Sequence, residues 1–532
     1  MTFQGYTKRD TNTLKGVAIL CIVFHNYFHW LWPSPGENEF DFAPDRIRHF
    51  FDLLGQQPSE FVNILFSYFG HYGVQIFLFI SGFGLAVSMM QRPRSWESFV
   101  VHRLKKLYPL LLTAILAYIL VLLVTEHRML GAYEKQELGY KLLFLHTLIP
   151  DSGLSVNGPW WFFGLIFYLY LLFPWLYRWI QQWGYKVFFI ICIVSYTTIF
   201  LFRHGLTLYH GSVVMMNPPG HLPEFCLGIL LACSQGKRLH PVWFFLALVV
   251  FCLGNCYALF YPFTFLAVTV LVVYATQKRL AVKAERLALS GEKKAVTSHL
   301  SPLAYLGSIS LALFAVHGFL RTPVLKWANT LSGGWAHLGS ALLYFLVSWG
   351  VAIAAKALYD RMVSLLDRIK LRESKATRIL GGIFKVALLV FFVFVISYYL
   401  VQEMKTDDTP VESLQVKTAD QTFASDTEFL GLASASFNQN VCSFSLQGSF
   451  GYRSLDTVAP LPVLVVDIPN VLWREFPLAE HCRSGRHEKF EFSFRYLCPF
   501  VKNLRNKPIK IYLWNRNQST AVIDQLEFKL LQ

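Results

Sequence analysis

The chain of 532 residues is 54% hydrophobic and only 15% charged, with a mean hydropathy of +0.41. An average soluble chain carries about 25% charge, so these figures exclude a water-soluble globule of this size and a disordered chain alike, while nine Cys in so long a chain exclude a small disulfide scaffold. The net charge of +15 does not mark a nucleic-acid binder: residues 402–532 hold 14 basic and 15 acidic side chains, leaving 34 and 18 in the first 401, so the excess belongs to the apolar part, where membrane topology accounts for it.

A helix that crosses the roughly 30 Å hydrocarbon core needs about 20 apolar residues. In chain order, apolar stretches cover 14–33, 61–90, 107–125, 160–181, 185–203, 220–235, 241–259, 261–276, 303–323, 338–360 and 379–401. They predict a polytopic α-helical membrane bundle of about ten helices plus an eleventh span. Basic loops (Arg92 to Lys106, Lys237-Arg238, Lys278 to Lys294, Lys356 to Arg378) alternate with acidic or neutral ones (34–60, 126–158, 204–219, 324–337). That alternation requires a cytoplasmic N-terminus and, with an odd number of spans, an extracytoplasmic C-terminal region. The first stretch follows Lys8, Arg9 and Lys15 but is too long and aromatic for a cleaved signal and is expected to remain a helix. The Cys residues within the spans match no metal-site spacing, so no metal is expected.

Four segments follow: a transmembrane domain over 1–365, a basic cytoplasmic linker with the eleventh span over 366–401, a polar linker over 402–425, and an extracytoplasmic domain over 426–532. In the last, runs such as CSFSLQGSF, PVLVVDIP, FEFSFRYL, KIYLWN and LEFKLL alternate with period two between turn signals. That pattern predicts a small all-β sandwich or jelly roll. Its Cys442, Cys482 and Cys498 imply one disulfide and one leftover thiol in an oxidising compartment, with the pairing open.

Ionisable side chains inside a bilayer are costly and face a bundle interior or an aqueous cavity. The first stretch, LKGVAILCIVFHNYFHW, carries His25 and His29, four residues apart and so about 40° apart on one helix face. Asn26 lies beside them, and Lys15 sits about 15 Å below His25 toward the cytoplasm. His71 and Gln75 in GHYGVQIFLFISG, Glu224 in LPEFCLG and His317 in SLALFAVHGFL are further polar groups in apolar surroundings. A membrane His also serves as an interhelical hydrogen-bonding group, and Glu224 after Pro223 could simply complement a helix dipole.

These motifs resemble the membrane-bound acyltransferase 3 family, bacterial integral membrane enzymes that O-acylate glycans and related acceptors. The resemblance runs in order over residues 8–360: LKGVAILCIVFH, GVQIFLFISGFGL, HRLKKLYPLLL, PWWFFGLIFYLYLLFPWL, LPEFCLGILLA and LGSISLALFAVHGFL. The eleventh span and β-rich tail lie outside it as an accessory extension. Two departures stand out. The family's first helix separates cation and His by ten residues, leaving them about 20° apart; here Lys15 and His25 are separated by nine, which turns His25 about 80° away and aligns Asn26 instead. The family's paired Arg before the third helix is Arg103 and Lys106 here, and Lys lacks the bidentate phosphate geometry of Arg.

The resemblance implies transfer of an acyl group, acetyl above all, from cytoplasmic acyl-CoA to a hydroxyl of an extracytoplasmic or surface glycan, in the bacterial inner membrane. Lys15, Arg103, Lys105 and Lys106 would meet the CoA phosphates. His25, with His29 as rival, would take the hydroxyl proton. Asn26 or His29 would donate to the thioester oxygen. Trp160, Trp161 and Tyr170 would form an aromatic platform for a sugar ring, Glu224 and His317 would line the substrate cavity, and the C-terminal domain would contact carbohydrate. The second reading is a polytopic transporter or flippase for a glycan or lipid-linked sugar, because buried His and Glu also mark transport paths. A membrane-anchored glycan-binding protein is the third.

Overall fold

The computed structural model describes residues 6–204, 214–234, 238–290, 301–368, 382–398 and 409–532, apart from 32, 35, 44, 150–151, 384, 392, 396, 418–420, 425–426, 440, 442, 456–461, 470–471, 479–486, 499–503 and 516–519. The expected cations of 291–300 and 369–381, the start of the polar linker, and Cys442 and Cys482 lie outside the described residues. The chain forms two compact units, a helical one within residues 1–381 and a β-rich one whose main body is 382–532.

Helix α1 (Lys8–Phe28) opens with a reciprocal cap that the sequence TKRD encodes: Thr7 Oγ1 accepts the Asp10 N–H at 3.2 Å while the Asp10 carboxylate accepts the Thr7 N–H at 2.9 Å. Next come α2 (Arg46–Gln56), α3 (Phe61–Phe69), a 3-10 turn over Gly70–Tyr72, and α4 (Gly73–Gln91). The stretch 61–90, predicted as one span, is therefore a helix interrupted once, about a third of the way from its N-terminal end. Then follow α5 (Trp96–Thr125), α6 (Ala132–Leu142), α7 (Trp161–Trp183), α8 (Tyr185–His204), α9 (Pro218–Cys233), α10 (Pro241–Cys256), α11 (Thr264–Ser290), α12 (Pro302–Ala328) and α13 (Gly334–Arg368).

Among the described residues, six helical segments are long and apolar enough to cross a membrane: Pro58–Gln91, Trp96–Thr125, Gly158–Trp183, Tyr261–Val282, Pro302–Ala328 and Gly334–Leu366. The protein is thus a polytopic membrane protein. Each of the other predicted stretches holds a helix, but one that is shorter or more polar. Tyr185–Leu201, Pro241–Cys256 and Lys385–Val395 are apolar and short, α9 has 16 residues, and α1 starts with Lys8, Arg9, Asp10 and Lys15. Large apolar side chains such as Leu116, Leu120, Phe189, Ile193, Phe245, Val249, Leu342 and Leu346 remain exposed on the helical unit, an outer surface suited to lipid and not to water.

Lipid tails give helices no hydrophobic reason to associate, so close backbone packing at small residues has to hold them together. Helix α1 packs along α12, and two glycines set their separation. A methyl group on Gly16 would land on the Leu303 carbonyl oxygen, and one on Gly307 would land on the Asn12 carbonyl oxygen. The same reciprocal contact joins α4 to α9, through Gly82 against Phe225 and Gly228 against Phe79.

The β-rich unit contains two sheets, in strand order β1-β3-β8-β5-β6 and β2-β9-β4-β7, with β1 Gln415–Val416, β2 Gln421–Phe423, β3 Phe429–Ser436, β4 Ser443–Ser454, β5 Val463–Ile468, β6 Leu472–Pro477, β7 His487–Leu497, β8 Pro508–Trp514 and β9 Ala521–Leu531. Every paired strand runs antiparallel to its neighbour. Alternate residues of both sheets, among them Leu464, Val466, Ile509 and Ile511 from one and Phe444, Leu446, Phe490 and Ile523 from the other, share one buried core. The polar stretch read as a linker over 402–425 contributes β1 and β2, which pair with β3 and β9 through their backbones.

Replacing Gly307 by Val must push α1 and α12 apart. The expected loss is about 1–3 kcal/mol, seen as a lower thermal midpoint in detergent. Gly339→Ala, on a helix with nothing within 4 Å of the new methyl, should leave the midpoint unchanged or slightly raised.

Candidate active site

At the interruption by Gly70–Tyr72, carbonyls of the last turn of α3 accept from side chains as well as from backbone, since the Phe66 oxygen takes the Gly70 N–H and keeps a second lone pair. His25 on α1 uses one: its Nδ1 lies 3.2 Å from the Phe66 carbonyl oxygen. His71, on the 3-10 turn itself, sits with Nδ1 2.8 Å from the Tyr68 carbonyl oxygen. His317 on α12 repeats the pattern, with Nδ1 2.8 Å from the Phe314 carbonyl oxygen. A carbonyl only accepts, so each Nδ1 carries the proton and each Nε2 keeps its lone pair. Three imidazoles are thereby set as bases by backbone contacts alone.

Two of them, His25 and His71, meet at α1 together with His29. The His25 ring centroid is 5.2 Å from that of His29 and 5.5 Å from that of His71. The approach depends on Gly70, where a side chain would start 2.6 Å from both the Cys21 carbonyl oxygen and His25 Cβ. His25 and His71 are buried, and His29 is part-buried with its Nδ1 enclosed and lacking a hydrogen-bond partner. Among the described residues no three His, Cys, Asp or Glu side chains converge as a metal-ion set.

Arg321, one turn beyond His317, completes the cluster. It donates to the Asn26 carbonyl oxygen at 3.3 Å and its guanidinium carbon lies 4.7 Å from the Trp30 ring centroid. Its charge acts on His25, His29 and His317. The sequence reading passed it over. The available signal was the spacing HGFLR, which puts Arg321 four residues from His317 on one helix face. Behind the cluster, Tyr344 donates to the His317 carbonyl at 2.8 Å and stacks on Tyr27 at 4.7 Å. Tyr27 donates to Ser340 at 2.8 Å, and His337 binds Glu60 at 2.8 Å.

Other predicted residues are distributed differently. Asn26, the residue aligned with Lys15, turns its amide back onto the Ile22 carbonyl at 3.0 Å. Lys15 is part-buried ten residues before His25. Arg103 lies over the rings of Phe99 (5.4 Å) and Tyr170 (5.7 Å), with its Nε enclosed and without a hydrogen-bond partner. Lys106 is part-buried on the same helix, and Lys105 donates to the Leu366 carbonyl at 2.9 Å, where it caps the end of α13. The three aromatics are not brought together. Trp160 is fully buried and donates to the Ala315 carbonyl at 2.7 Å, Trp161 stacks on His221 at 5.6 Å, and Tyr170 keeps company with Arg103. Ten helical residues, about 15 Å, separate Trp160 from Tyr170. Glu224 is not at a helix start but seven residues into α9, buried, and its charge acts on Cys192 and Tyr196 of α8.

On the loop that follows α1, Glu37 and Glu39 are buried. Burial pushes Glu37 up to about 8, against the opposing pull of Arg46 at 3.9 Å, and Glu39 up to about 7. The charges of Arg46 and Asp41 reach His29, so this loop borders the imidazole cluster.

The acyltransferase 3 family model, an acyltransferase domain, matches residues 10–360. The chain belongs to the acyltransferase 3 family. No curated protein and no solved structure matches it. As an acyltransferase 3 protein it is a membrane-embedded acyltransferase, which removes the transporter and anchor readings. The matched residues enclose the whole imidazole cluster and Arg103, and they end before the β-rich unit.

Two outcomes are expected. Gly70→Ala should displace His25 and cut acyl transfer by at least tenfold with the protein still inserted, measured as labelled acyl incorporation per folded protein. Glu37 keeps its proton in the fold up to about 8 and loses it near 4.5 when unfolded. The folded state therefore binds more protons across that window, and stability falls as pH rises through it. Glu37→Gln should flatten the profile between pH 5 and 8 and unfold later than wild type at pH 8.

Proposed function

We propose that this acyltransferase moves an acetyl group from cytoplasmic acetyl-CoA to a hydroxyl of an extracytoplasmic glycan, with His25 as the general base. The observation that carries this reading is the contact of His25 Nδ1 with the Phe66 carbonyl. It leaves Nε2 as the acceptor, on a buried ring at the centre of the matched domain. A sugar hydroxyl is a poor nucleophile until a base takes its proton, and imidazole suits the task near neutral pH. His29 and His71 lie beside it, so a proton taken by His25 has imidazole neighbours.

The donor side rests on Lys15, Arg103 and Lys106. Arg103 is held by two aromatic rings with its Nε unmatched, a state that suits a visiting phosphate. Glu224 and His317 remain candidate cavity residues, with Glu224 the more remote in its contacts. Eleven spans with a cytoplasmic N-terminus would place these cations inside, in a bacterial cytoplasmic membrane, and the β-rich unit outside. The shared core of the two sheets favours a sandwich, which could position glycan near the acceptor side.

The test uses protein in nanodiscs, [14C]acetyl-CoA, and base-deacetylated cell-surface polysaccharide. His25→Ala should lower transfer by at least 10²-fold while CoA binding persists. Full activity in His25→Ala with loss in His29→Ala would move the base to His29, and activity in both would refute an imidazole base on α1.

A further inference from the structure

We propose that Arg321 is the group that takes up the negative charge of the tetrahedral intermediate in this acyl transfer. The inference rests on the reading of His25 as base and assigns a residue to the half of the reaction which that reading leaves open.

Three observations converge. First, a guanidinium within a membrane-spanning helix is costly unless it is matched, and the usual match is a carboxylate. Among the described residues no carboxylate lies within ion-pair distance of Arg321. Its contacts are the Asn26 carbonyl at 3.3 Å and the face of Trp30 at 4.7 Å. These hold the group in place and leave most of its five N–H donors uncommitted. Second, its charge acts on His25, His29 and His317 together, so the cation stands among imidazoles set as bases rather than beside an anion. Among the described residues the acidic side chain whose charge reaches the cluster, Asp41, is paired with Arg46, so no carboxylate pairs with Arg321 at rest and the reaction itself creates a negative charge there. Third, of the side chains that sequence offered for the thioester oxygen, Asn26 is already committed, its amide donating to the Ile22 carbonyl, and His29 lacks the permanent positive charge with which Arg321 can meet an oxyanion.

The chemistry balances with what is present. The acceptor oxygen bonds to the thioester carbonyl carbon as its proton passes to Nε2 of His25. The carbonyl π pair moves onto oxygen, and Arg321 donates N–H to that oxyanion. The pair then returns, the carbon–sulfur bond breaks, and the departing thiolate takes the proton from His25. The products are an acetyl ester and free CoA thiol. A preformed donor aimed at developing charge in a water-poor site contributes about 10²–10³ in kcat.

The deciding experiment measures kcat and KM for acetyl-CoA and for the deacetylated polysaccharide in nanodiscs, for wild type, Arg321→Gln and Arg321→Lys. Each is also assayed with the dithioester analogue of acetyl-CoA, whose C=S sulfur is a weaker acceptor than oxygen. The expected result for Arg321→Gln is a 10²–10³-fold fall in kcat, both KM values within about threefold of wild type, and a reduced preference for thioester over dithioester. Arg321→Lys should recover part of kcat. An unchanged kcat, or a raised polysaccharide KM with kcat preserved, overturns the proposal; the latter would mean that Arg321 binds an anionic acceptor. If Arg321→Gln does not fold, Arg321→Lys decides through the thioester preference, and an unaltered preference overturns the proposal. Activity in His25→Ala brings down the base assignment itself, whereas an inactive His25→Ala beside a fully active Arg321→Gln brings down this inference alone.

Discussion

In hydrocarbon every polar group needs a partner from the protein itself, and here that demand is met by a helix that stops and restarts. The second apolar segment ends its α-helix at Phe69, makes one 3-10 turn, and resumes at Gly73. Beside this turn the carbonyls of Phe66, which also accepts the Gly70 N–H, and of Tyr68 meet the imidazoles of His25 and His71. The same contacts that satisfy these rings choose their tautomer. A buried histidine that would otherwise only cost stability becomes an oriented base, at a position fixed by backbone and insensitive to side-chain rotamers elsewhere.

That orientation would be lost if the helices could slide. Gly16 and Gly307 lock α1 to α12, and Gly70 sets the 3-10 turn against α1 at His25 itself. The site is therefore made from three backbones held at close range, with the functional side chains filling the space that remains. Arg321 joins it from α12, and the buried pair of His337 and Glu60 ties the start of α13 to the turn before α3.

Much of this was legible in the sequence, for unequal reasons. Apolar runs near 20 residues are governed by composition, so the stretches at 107–125, 303–323 and 338–360 correspond directly to long helices. The runs at 220–235 and 241–259 were read as full spans, but their helices close after 16 residues. The interruption at Gly70–Tyr72 was not legible because it lies inside one long apolar run, where a short polar stretch such as GHYG does not by itself end a helix; only the pair of glycines hinted at it. His25 stood out through depth and its pairing with His29. Arg321 did not, since a cation at the end of an apolar run reads as a boundary. Trp160 and Tyr170 were grouped by residue type, yet ten steps along one helix keep them apart. In the β-rich unit the alternation of PIKIYLW was plain, whereas β1 and β2, two and three residues long, have too little pattern to detect.

The contact of α1 with α12 also limits traffic. Where a glycine on each helix meets the other's carbonyl oxygen, not even a methylene fits between them, so that seam is sealed to any pantetheine arm. An acyl donor therefore has to reach His25 from another flank of α1. Its approach angle is thus dictated by two missing side chains, and widening the choice of acyl tail by engineering would have to begin on that other flank.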